Sequence, residues 1–167
     1  MIDSQQLSHV QRNTNALLVI SAAAIWLALF GPAWTYLPAT ATTPATTLNF
    51  ADLAALNAAN PSGLQAAFYD WVAWAFAALT TVAVIVAFRS GRRVTGAVCA
   101  LIGVLQLLIT VVVTVKAAPD LSVLFSSLPN TRLGTVLFLG SMLALILAGF
   151  QRLRFTRLDR RADLLAA

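Results

Sequence analysis

Few side chains in this sequence have the chemistry of a catalytic or metal-binding group, and they are far apart in the chain. His9 is the only histidine and Cys99 is the only cysteine. Two such residues form neither a zinc site nor a pair of haem ligands. We also find no glycine-rich phosphate loop and no nucleophile motif. The sequence therefore predicts no catalytic residue, no cofactor and no metal, and it indicates a protein that is not an enzyme.

Asp70 is the one acidic residue close to an apolar run. A carboxylate within a membrane is costly unless it is paired or protonated, so such a residue is a candidate for a proton or cation site. Its neighbours Tyr69 and Trp71 are typical of the membrane–water interface and favour a second interpretation, in which Asp70 is at headgroup level and in contact with water. In that position, Lys116 or Arg132 could pair with it.

Gln106 is the only amide in a long apolar run, Val94 to Val115. In the middle of a membrane its side chain is too deep to reach water, so it must form a hydrogen bond with another helix. We interpret Gln106 as a residue of helix packing in preference to one that recognises a substrate.

Most of the remaining sequence is apolar. Hydrophobic residues make up 59% of the 167 positions and charged residues only 10%, a balance that a water-soluble domain cannot cover with polar surface. Four apolar runs are long enough to cross a hydrocarbon core of about 30 Å as helices. They lie at residues 16–37, 66–88, 94–115 and 133–151. Helices are expected because lipid offers no water to unpaired backbone groups, and the alternating segments of a β-barrel are absent.

These runs predict an all-α membrane protein, a bundle of four transmembrane helices. The bundle covers residues 16–151, between a polar N-terminal tail at 1–15 and a basic amphipathic tail at 152–167.

The two outer loops are expected to contain short helices at the membrane surface. In the first loop, Asn49 can cap a helix that begins at Phe50, and the Thr- and Pro-rich segment 38–47 before it is expected to be extended and mobile. In the second loop, residues 120–128 have the apolar spacing of a surface helix.

Basic residues predict the orientation of the bundle. Nine of the eleven lie on one side of the predicted spans, and basic residues are retained on the cytoplasmic side of a membrane. The nine are Arg12, Arg89, Arg92, Arg93, Arg152, Arg154, Arg157, Arg160 and Arg161. Trp34 and Tyr36 agree with this orientation as part of an outer aromatic belt. With four spans, this orientation places both termini in the cytoplasm. The abundance of alanine and arginine and the lack of glutamate are expected of GC-rich codons, so we predict a plasma-membrane protein of a bacterium.

Small residues recur at helical spacing in the third and fourth spans. They are Gly96, Ala100 and Gly103, and Gly140, Ala144 and Ala148. Small side chains let helix backbones approach closely where lipid gives no hydrophobic driving force. We predict that these residues pack against helices, either within the bundle or in another subunit.

The basic tail is suited to contact with a negatively charged surface. Its arginines are Arg152, Arg154, Arg157, Arg160 and Arg161. They could bind anionic lipid headgroups or an acidic partner, although their role in topology is sufficient to explain them. The basic residues form no independent polar face, so binding to nucleic acid is not predicted.

Two short motifs lie at the ends of predicted spans. They are Gly31-Pro32-Ala33-Trp34 and Arg89-Ser90-Gly91-Arg92-Arg93, the second of which leads into Gly96-Ala97-Val98. With the order of the spans, they give the chain a layout that resembles small four-span membrane proteins of actinobacteria, including the tryptophan-associated membrane protein family. The resemblance implies a four-span fold and no defined activity. In size and plan the chain is also similar to accessory subunits of actinobacterial respiratory supercomplexes.

The leading functional hypothesis is a non-enzymatic accessory or assembly subunit of a larger bacterial membrane complex, for example a respiratory one. Its partners would be membrane lipids and other membrane-protein subunits. The alternative is a small oligomeric transporter or channel, with Asp70 at an outer mouth and Gln106 on the pathway. An enzyme that acts on lipid ranks third, since the apolar runs contain no acid, base or metal ligands for it.

Overall fold

The computed structural model of the chain consists mainly of long helices. It describes residues 4–59, 63–90, 93–117, 122 and 126–166, and side chains between His9 and Arg154. The long helices are α1 (Ser4–Phe30), α3 (Gly63–Ser90), α4 (Arg93–Ala117) and α5 (Leu133–Ala166), and the short helix α2 (Phe50–Ala59) lies between α1 and α3. Each long helix contains a stretch that is long and apolar enough to cross a membrane. The architecture is therefore that of a multi-pass membrane protein.

The four long helices form an up-and-down bundle. Each one packs beside the next along the chain in the opposite direction, and α5 closes the bundle by packing against α1. α5 has the most extensive contacts, with α1 on one side and α4 on the other. We call the end of the bundle that contains Arg12, Arg89 and Arg152 the arginine end, and the opposite end the hairpin end.

The apolar stretches of the last three long helices overlap the spans predicted from sequence. They are Gly63–Ser90, Val94–Ala117 and Leu133–Arg154, where the sequence predicts 66–88, 94–115 and 133–151. Their bounds agree because a basic residue follows each uncharged run, Arg89 in α3, Lys116 in α4 and Arg152 in α5.

The first helix differs from the predicted span 16–37 at both ends. It begins at Ser4, inside the predicted polar tail, and it ends just before Gly31. The helix ends there because Pro32 has no N–H and disfavours helical backbone in the residue before it. The N–H of Gly31 donates a last hydrogen bond to the carbonyl of Leu27 at 3.0 Å.

The predicted tail 152–167 is a continuation of the last span, because α5 extends without interruption to Ala166. The helix predicted at 120–128 lies largely outside the described residues. A 3₁₀ turn, Leu128–Asn130, connects that region to α5.

A β-hairpin corrects the prediction of an entirely helical fold. β1 (Thr35–Leu37) pairs with β2 (Thr46–Leu48) in an antiparallel arrangement. The sequence predicts no regular structure for residues 38–47, yet the last of them belong to a strand, because β-branched threonine favours extended backbone. In the turn, the N–H of Thr43 donates to the hydroxyl of Thr40 at 3.1 Å.

Helix α2 begins where the sequence predicts, at a reciprocal cap. The N–H of Asp52 donates to Asn49 Oδ1 at 3.0 Å, and the N–H of Asn49 donates to Asp52 Oδ2 at 2.9 Å. This pair is a capping box, and it satisfies two backbone donors at the helix start. It places Phe50, the first residue of α2, in the core, where the side chain is 2% exposed.

The buried core forms two clusters along the bundle axis. The hairpin-end core contains Ile25, Ala28, Leu29, Trp34, Phe50, Phe68, Ala73, Phe76, Ala77, Val113, Phe138 and Met142. The arginine-end core contains Leu18, Ala83, Val84, Ala87, Cys99, Leu145 and Ala148. Aromatic rings dominate the first cluster, whereas the buried members of the second are aliphatic apart from one thiol.

Candidate functional site

A layer of small polar side chains separates the two cores. It consists of Ser21 on α1, Thr80 on α3, Gln106 and Thr110 on α4, and Ser141 on α5. All of these residues are buried. On α1, α3 and α4 they lie between members of the two cores, whereas Ser141 lies between Phe138 and Met142, the last members of the hairpin-end core on α5. We call this set the polar layer.

Within the polar layer, Gln106 links α4 to α3. Its Nε2 donates to the carbonyl oxygen of Phe76 at 3.0 Å. The hydroxyl of Thr80 lies 3.2 Å from both the Nε2 and the Oε1 of the same amide. A buried amide in lipid needs such a partner on another helix, and here α3 supplies it.

The other hydroxyl groups of the polar layer bond to their own helices. Ser21 Oγ donates to the carbonyl of Leu18 at 2.9 Å, and Thr110 Oγ1 donates to that of Gln106 at 2.8 Å. Ser141 Oγ donates in the same way to a carbonyl three residues earlier, at 2.6 Å. Every side chain of the polar layer therefore has a hydrogen-bond partner inside the bundle.

Helices α4 and α5 touch backbone to backbone at the predicted small residues. A Cβ atom added to Gly96 would lie 3.0 Å from the carbonyl oxygen of Gly149, and one added to Gly103 would lie 3.0 Å from that of Met142. A Cβ on Gly149 would be only 2.6 Å from the backbone nitrogen of Ala100. Any larger side chain would push the two helices apart, so the close approach depends on these residues.

The small residues predicted on α5 lie on different faces of that helix. Ala144 and Ala148 are buried. Gly140 is exposed, and a Cβ atom built on it would meet nothing within 4 Å. Gly140 therefore takes no part in packing within the bundle, and the predicted alternative for it, contact with another subunit, stays a prediction. A spacing of four residues advances about 40° beyond a full turn, so only part of such a row faces one neighbour.

Arg152, predicted to contact lipid or a partner, joins α5 to the three other long helices. Its guanidinium donates to the carbonyl of Ala87 on α3. It also lies 3.5 Å from the hydroxyl of Thr95 on α4 and 3.5 Å from Asn15 Oδ1 on α1. The carbonyl groups in the last turn of a helix lack intrahelical partners, and an arginine side chain can satisfy them.

Of the other arginines in the predicted basic tail, Arg154 alone has a described side chain. Arg154 is exposed, as a lipid- or partner-facing residue would be. The side chains of the remaining members lie outside the described residues. They are Arg157, Arg160 and Arg161.

Trp34 connects three elements at the hairpin end, and only 6% of its surface is exposed. Its Nε1 donates to the carbonyl of Ala28 at 2.7 Å, and its backbone N–H donates to that of Leu48 at 2.7 Å. Its own carbonyl accepts from the hydroxyl of Thr135 at 2.7 Å and from the N–H of Arg132 at 3.0 Å. Trp34 is thus a core residue where the sequence predicts an interfacial belt, because the end of α1 offers its indole a buried acceptor.

Other aromatic rings surround Trp34. Its ring centroid lies 5.1 Å from that of Phe50 and 4.9 Å from that of Phe138. Phe138 in turn lies 5.9 Å from Phe68, and Phe50 lies 5.7 Å from Trp74. These tilted and edge-on pairs have the geometry that aromatic rings prefer. They join α2, the start of α3 and the start of α5 below the hairpin.

A groove of about 820 Å³ lies beside this cluster, between α2 and α3. Its walls are the last residues of α1, one face of α2 and the first turns of α3. The lining residues are Leu29, Phe30, Asn49, Phe50, Ala51, Ala54, Asn57, Ala58, Ala66, Ala67, Tyr69, Asp70, Trp71 and Trp74. We call this cavity the α2–α3 groove. Asp70 supplies the one carboxylate among these residues.

Asp70 lies in a π-helical segment of α3, Phe68–Val72. The N–H of Ala73 donates to the carbonyl of Phe68, five residues earlier. The wider turn contains one extra residue, a feature that is frequent at functional sites. Phe68 and Ala73 stay buried in the core, while Asp70 and Trp71 between them are exposed.

The predicted ion pair of Asp70 is not formed. Within the described part of the chain, the Asp70 carboxylate has no ion-pair or hydrogen-bond partner. Arg132 instead places its guanidinium 4.8 Å from the centroid of the Tyr36 ring, and Lys116 is exposed at the end of α4. The environment of Asp70 agrees with contact with water at the hairpin end.

Sequence reasoning overlooks two residues that the structure brings into these contacts, Thr80 and Gly149, and it assigns Trp34 to the membrane interface. Thr80 is a single hydroxyl in an apolar helix, and its proximity to Gln106 depends on how two helices pack. Gly149 does not continue the four-residue row of small residues on α5. Trp34 carries a usable signal, since it follows a Gly-Pro helix break and lies six residues after Ala28, the acceptor of its indole N–H.

Among the described residues, no group of three or more His, Cys, Asp and Glu side chains could hold a metal ion.

A search of protein-family models, curated proteins and solved structures finds no match to this chain. The resemblance to small actinobacterial membrane proteins therefore stays a prediction, and the function has to be inferred from the contacts described above.

Proposed function

We propose that this chain is a non-enzymatic accessory or assembly subunit of a larger complex in the bacterial plasma membrane. The observation that carries the proposal is the closed polar layer at the centre of the bundle. Each of its side chains has a hydrogen-bond partner on its own helix or on a neighbouring one, so none of these five side chains is set aside for a substrate or a passing ion. In this proposal the function depends on contacts that the outer surface makes with other subunits.

The filled interior favours this proposal over a transporter or channel. The buried side chains of Phe76 and Phe138 lie on the hairpin side of the polar layer, and that of Met142 lies level with it, 3.9 Å from the Thr110 hydroxyl. Gln106, the residue expected on a pathway, is 2% exposed and is occupied by its bonds to α3. A conduit within one chain would have to break these contacts, and selectivity in channels depends on polar groups that face the path.

The ordered hairpin end supports a role in contact with a partner. Trp34 fixes the β-hairpin to α1 and α5, so the hairpin has a defined position on the bundle. The turn between the strands is exposed and carries several threonine hydroxyls. A rigid, hydrogen-bonding surface of this kind costs little entropy to order when it binds another subunit.

The orientation is part of the proposal. Arg12, Arg89 and Arg154 lie at one end of the bundle with Arg152, and the positive-inside rule assigns that end to the cytoplasm. The hairpin and α2 then lie on the outer side. The exposed arginines of the cytoplasmic end would contact anionic lipid headgroups.

Solubilisation from native membranes tests the proposal. We expect the full-length chain, extracted in a mild detergent, to migrate in native electrophoresis as a discrete complex with other subunits in fixed stoichiometry. A photo-crosslinking residue at Thr42, in the hairpin turn, should give one protein adduct, whereas the same residue at Leu108, on the exposed face of α4, should react mainly with lipid. Recovery only as a monomer or a homo-oligomer would contradict the proposal.

A flux assay tests the alternative directly. In sealed liposomes, the purified chain should give no ion or solute flux above that of protein-free liposomes. Flux that Asp70→Asn or Gln106→Leu abolishes would replace the proposed function with a transporter.

A further inference from the structure

The α2–α3 groove has the size and the lining of a small-molecule site. Its volume of about 820 Å³ falls in the range of about 300–1,000 Å³ that is common for ligand pockets. Such pockets are mainly apolar, with a few polar groups that determine specificity. The groove has this pattern, since most of its lining side chains are alanine, leucine or aromatic, with one carboxylate and two amides.

The aromatic lining favours a ligand that is apolar and positively charged. Five of the lining side chains are aromatic, and they are Phe30, Phe50, Tyr69, Trp71 and Trp74. The faces of such rings carry negative potential and attract cations, and several rings around one site are the usual means of binding a quaternary ammonium group. The same rings offer a large apolar area to the remainder of the ligand.

The charge of the groove also favours a positively charged ligand. Asp70 has no ion-pair partner among the described residues, so none of them compensates its negative charge. The lining contains no lysine, arginine or histidine. One atom of each lining amide already has a partner, since Asn49 Oδ1 accepts from the N–H of Asp52 at 3.0 Å and Asn57 Nδ2 donates to the carbonyl of Leu53 at 2.8 Å.

From this complementarity we propose that the α2–α3 groove binds a lipophilic monocation, a molecule with one positive charge, a large apolar surface and no anionic group. Asp70 neutralises the charge and the aromatic rings hold the apolar groups. A phospholipid headgroup fits less well, because its phosphate would lie near Asp70 with no basic lining residue to balance it. This inference is independent of the proposed accessory role, since the groove and the hairpin turn are separate surfaces.

Equilibrium binding of two ions of the same shape and opposite charge tests the proposal. The full-length chain is placed in phosphatidylcholine nanodiscs, and binding of tetraphenylphosphonium and of tetraphenylborate is measured against empty nanodiscs. We expect saturable binding of the phosphonium at one site per chain. The borate should show no binding beyond its partition into empty nanodiscs.

Variants locate the site. Asp70→Asn should weaken phosphonium binding roughly tenfold, because it removes the charge and keeps the shape. Trp71→Leu should weaken it about threefold through loss of one ring. Asp70→Glu should stay within about threefold of the wild type, which separates loss of charge from misfolding. Asp52→Asn is the matched control, since Asp52 does not line the groove and an asparagine Oδ1 can still accept the N–H of Asn49 that caps α2, so this variant should bind as the wild type does.

Several results would overturn the proposal. Two concern the ions: phosphonium binding no greater than in empty nanodiscs, or equal binding of the borate. Two concern the variants: an Asp70→Asn variant that binds phosphonium like the wild type, or equal losses of phosphonium affinity in Asp52→Asn and Asp70→Asn. Displacement of the phosphonium by lysophosphatidylethanolamine would assign the groove to a lipid headgroup instead. Helix content, measured by circular dichroism, should be the same in every variant.

Discussion

In the hairpin half of the bundle, buried aromatic rings fill the space between the helices, whereas the buried residues of the arginine-end core include no ring. At the hairpin end, Trp34 contacts other rings and carries hydrogen bonds to three elements. At the arginine end, Gly96 and Gly149 bring two backbones together, and Arg152 supplies hydrogen bonds across the bundle. The two ends are therefore held together by different kinds of contact.

The difference shows two solutions to the same physical problem. Lipid is as apolar as the helices, so it gives them no hydrophobic reason to associate, and stability depends on close packing and hydrogen bonds. Large aromatic side chains fill the space between helices that are farther apart, whereas glycine lets two helix backbones touch. The hairpin end should consequently be sensitive to smaller side chains, and the arginine end to larger ones.

Truncation of Trp34 should have the largest effect. Trp34→Ala removes a buried ring and its bond to Ala28, so the free energy of unfolding should fall by about 3 kcal/mol or more. Reversible unfolding in mixed micelles, followed by circular dichroism, measures the change. Trp71→Ala is the control, because Trp71 is 60% exposed, and it should cost less than about 0.5 kcal/mol. Equal losses of unfolding free energy in the two variants would contradict the claim that Trp34 is a buried structural residue and Trp71 an exposed one.

Enlargement of Gly149 should have the next largest effect. Gly149→Ala places a Cβ against the backbone of α4, and such overpacking costs about 1–3 kcal/mol. Gly140→Ala is the matched control on the same helix, where the added methyl group meets open space and helix propensity improves by up to about 1 kcal/mol. The same unfolding assay compares them. A Gly149→Ala variant as stable as Gly140→Ala would show that α4 and α5 do not touch there.

Loss of the Arg152 guanidinium should destabilise the arginine end more moderately. Arg152→Ala removes hydrogen bonds from a charged donor to α1, α3 and α4, two of them long, and we expect a loss of about 1.5 kcal/mol. Arg154→Ala, at an exposed position two residues later, should stay within about 0.5 kcal/mol of the wild type. Unfolding midpoints measured side by side distinguish the two. A larger effect at Arg154 would mean that Arg152 does not hold the helices together.

The polar layer between the two halves should give the smallest effect. Gln106→Leu removes the bonds to Phe76 and Thr80, and interhelical hydrogen bonds in membranes contribute about 1 kcal/mol. Thr114→Val is the control, since Thr114 bonds only within its own helix, to the carbonyl of Thr110, and it should be nearly neutral. Stabilisation by Gln106→Leu would show that the polar layer has a role other than packing.

The sequence predicts the helices well because their signal is local. Length and apolar composition identify the four spans, and the cap at Asn49 identifies the start of α2. The end of α1 is also encoded locally, by Gly31-Pro32, but the uncharged residues beyond it extend the predicted span to residue 37. The β-hairpin is missed because its strands have three residues each and depend on pairing across a loop.

The contacts between helices are harder to predict because they depend on rotation about each helix axis. The sequence predicts Gln106, Gly96 and Gly103 as residues of a helix interface, and the structure places all three against a neighbouring helix. It cannot distinguish Gly140 on an open face from Gly149 on a covered one. The contacts of Arg152 depend on the same rotation: a basic run predicts contact with lipid or a partner, and the structure also shows a hydrogen bond from its guanidinium to the carbonyl of Ala87.

The orientation of the bundle is the claim that can be tested most directly, by labelling single cysteines with a membrane-impermeant maleimide. In a Cys99→Ala background, Thr43→Cys reports on the hairpin and Arg154→Cys reports on the arginine end. We predict that Thr43→Cys is labelled in intact spheroplasts and that Arg154→Cys is labelled only after lysis. Labelling of Arg154→Cys in intact spheroplasts, with protection of Thr43→Cys, would contradict the account.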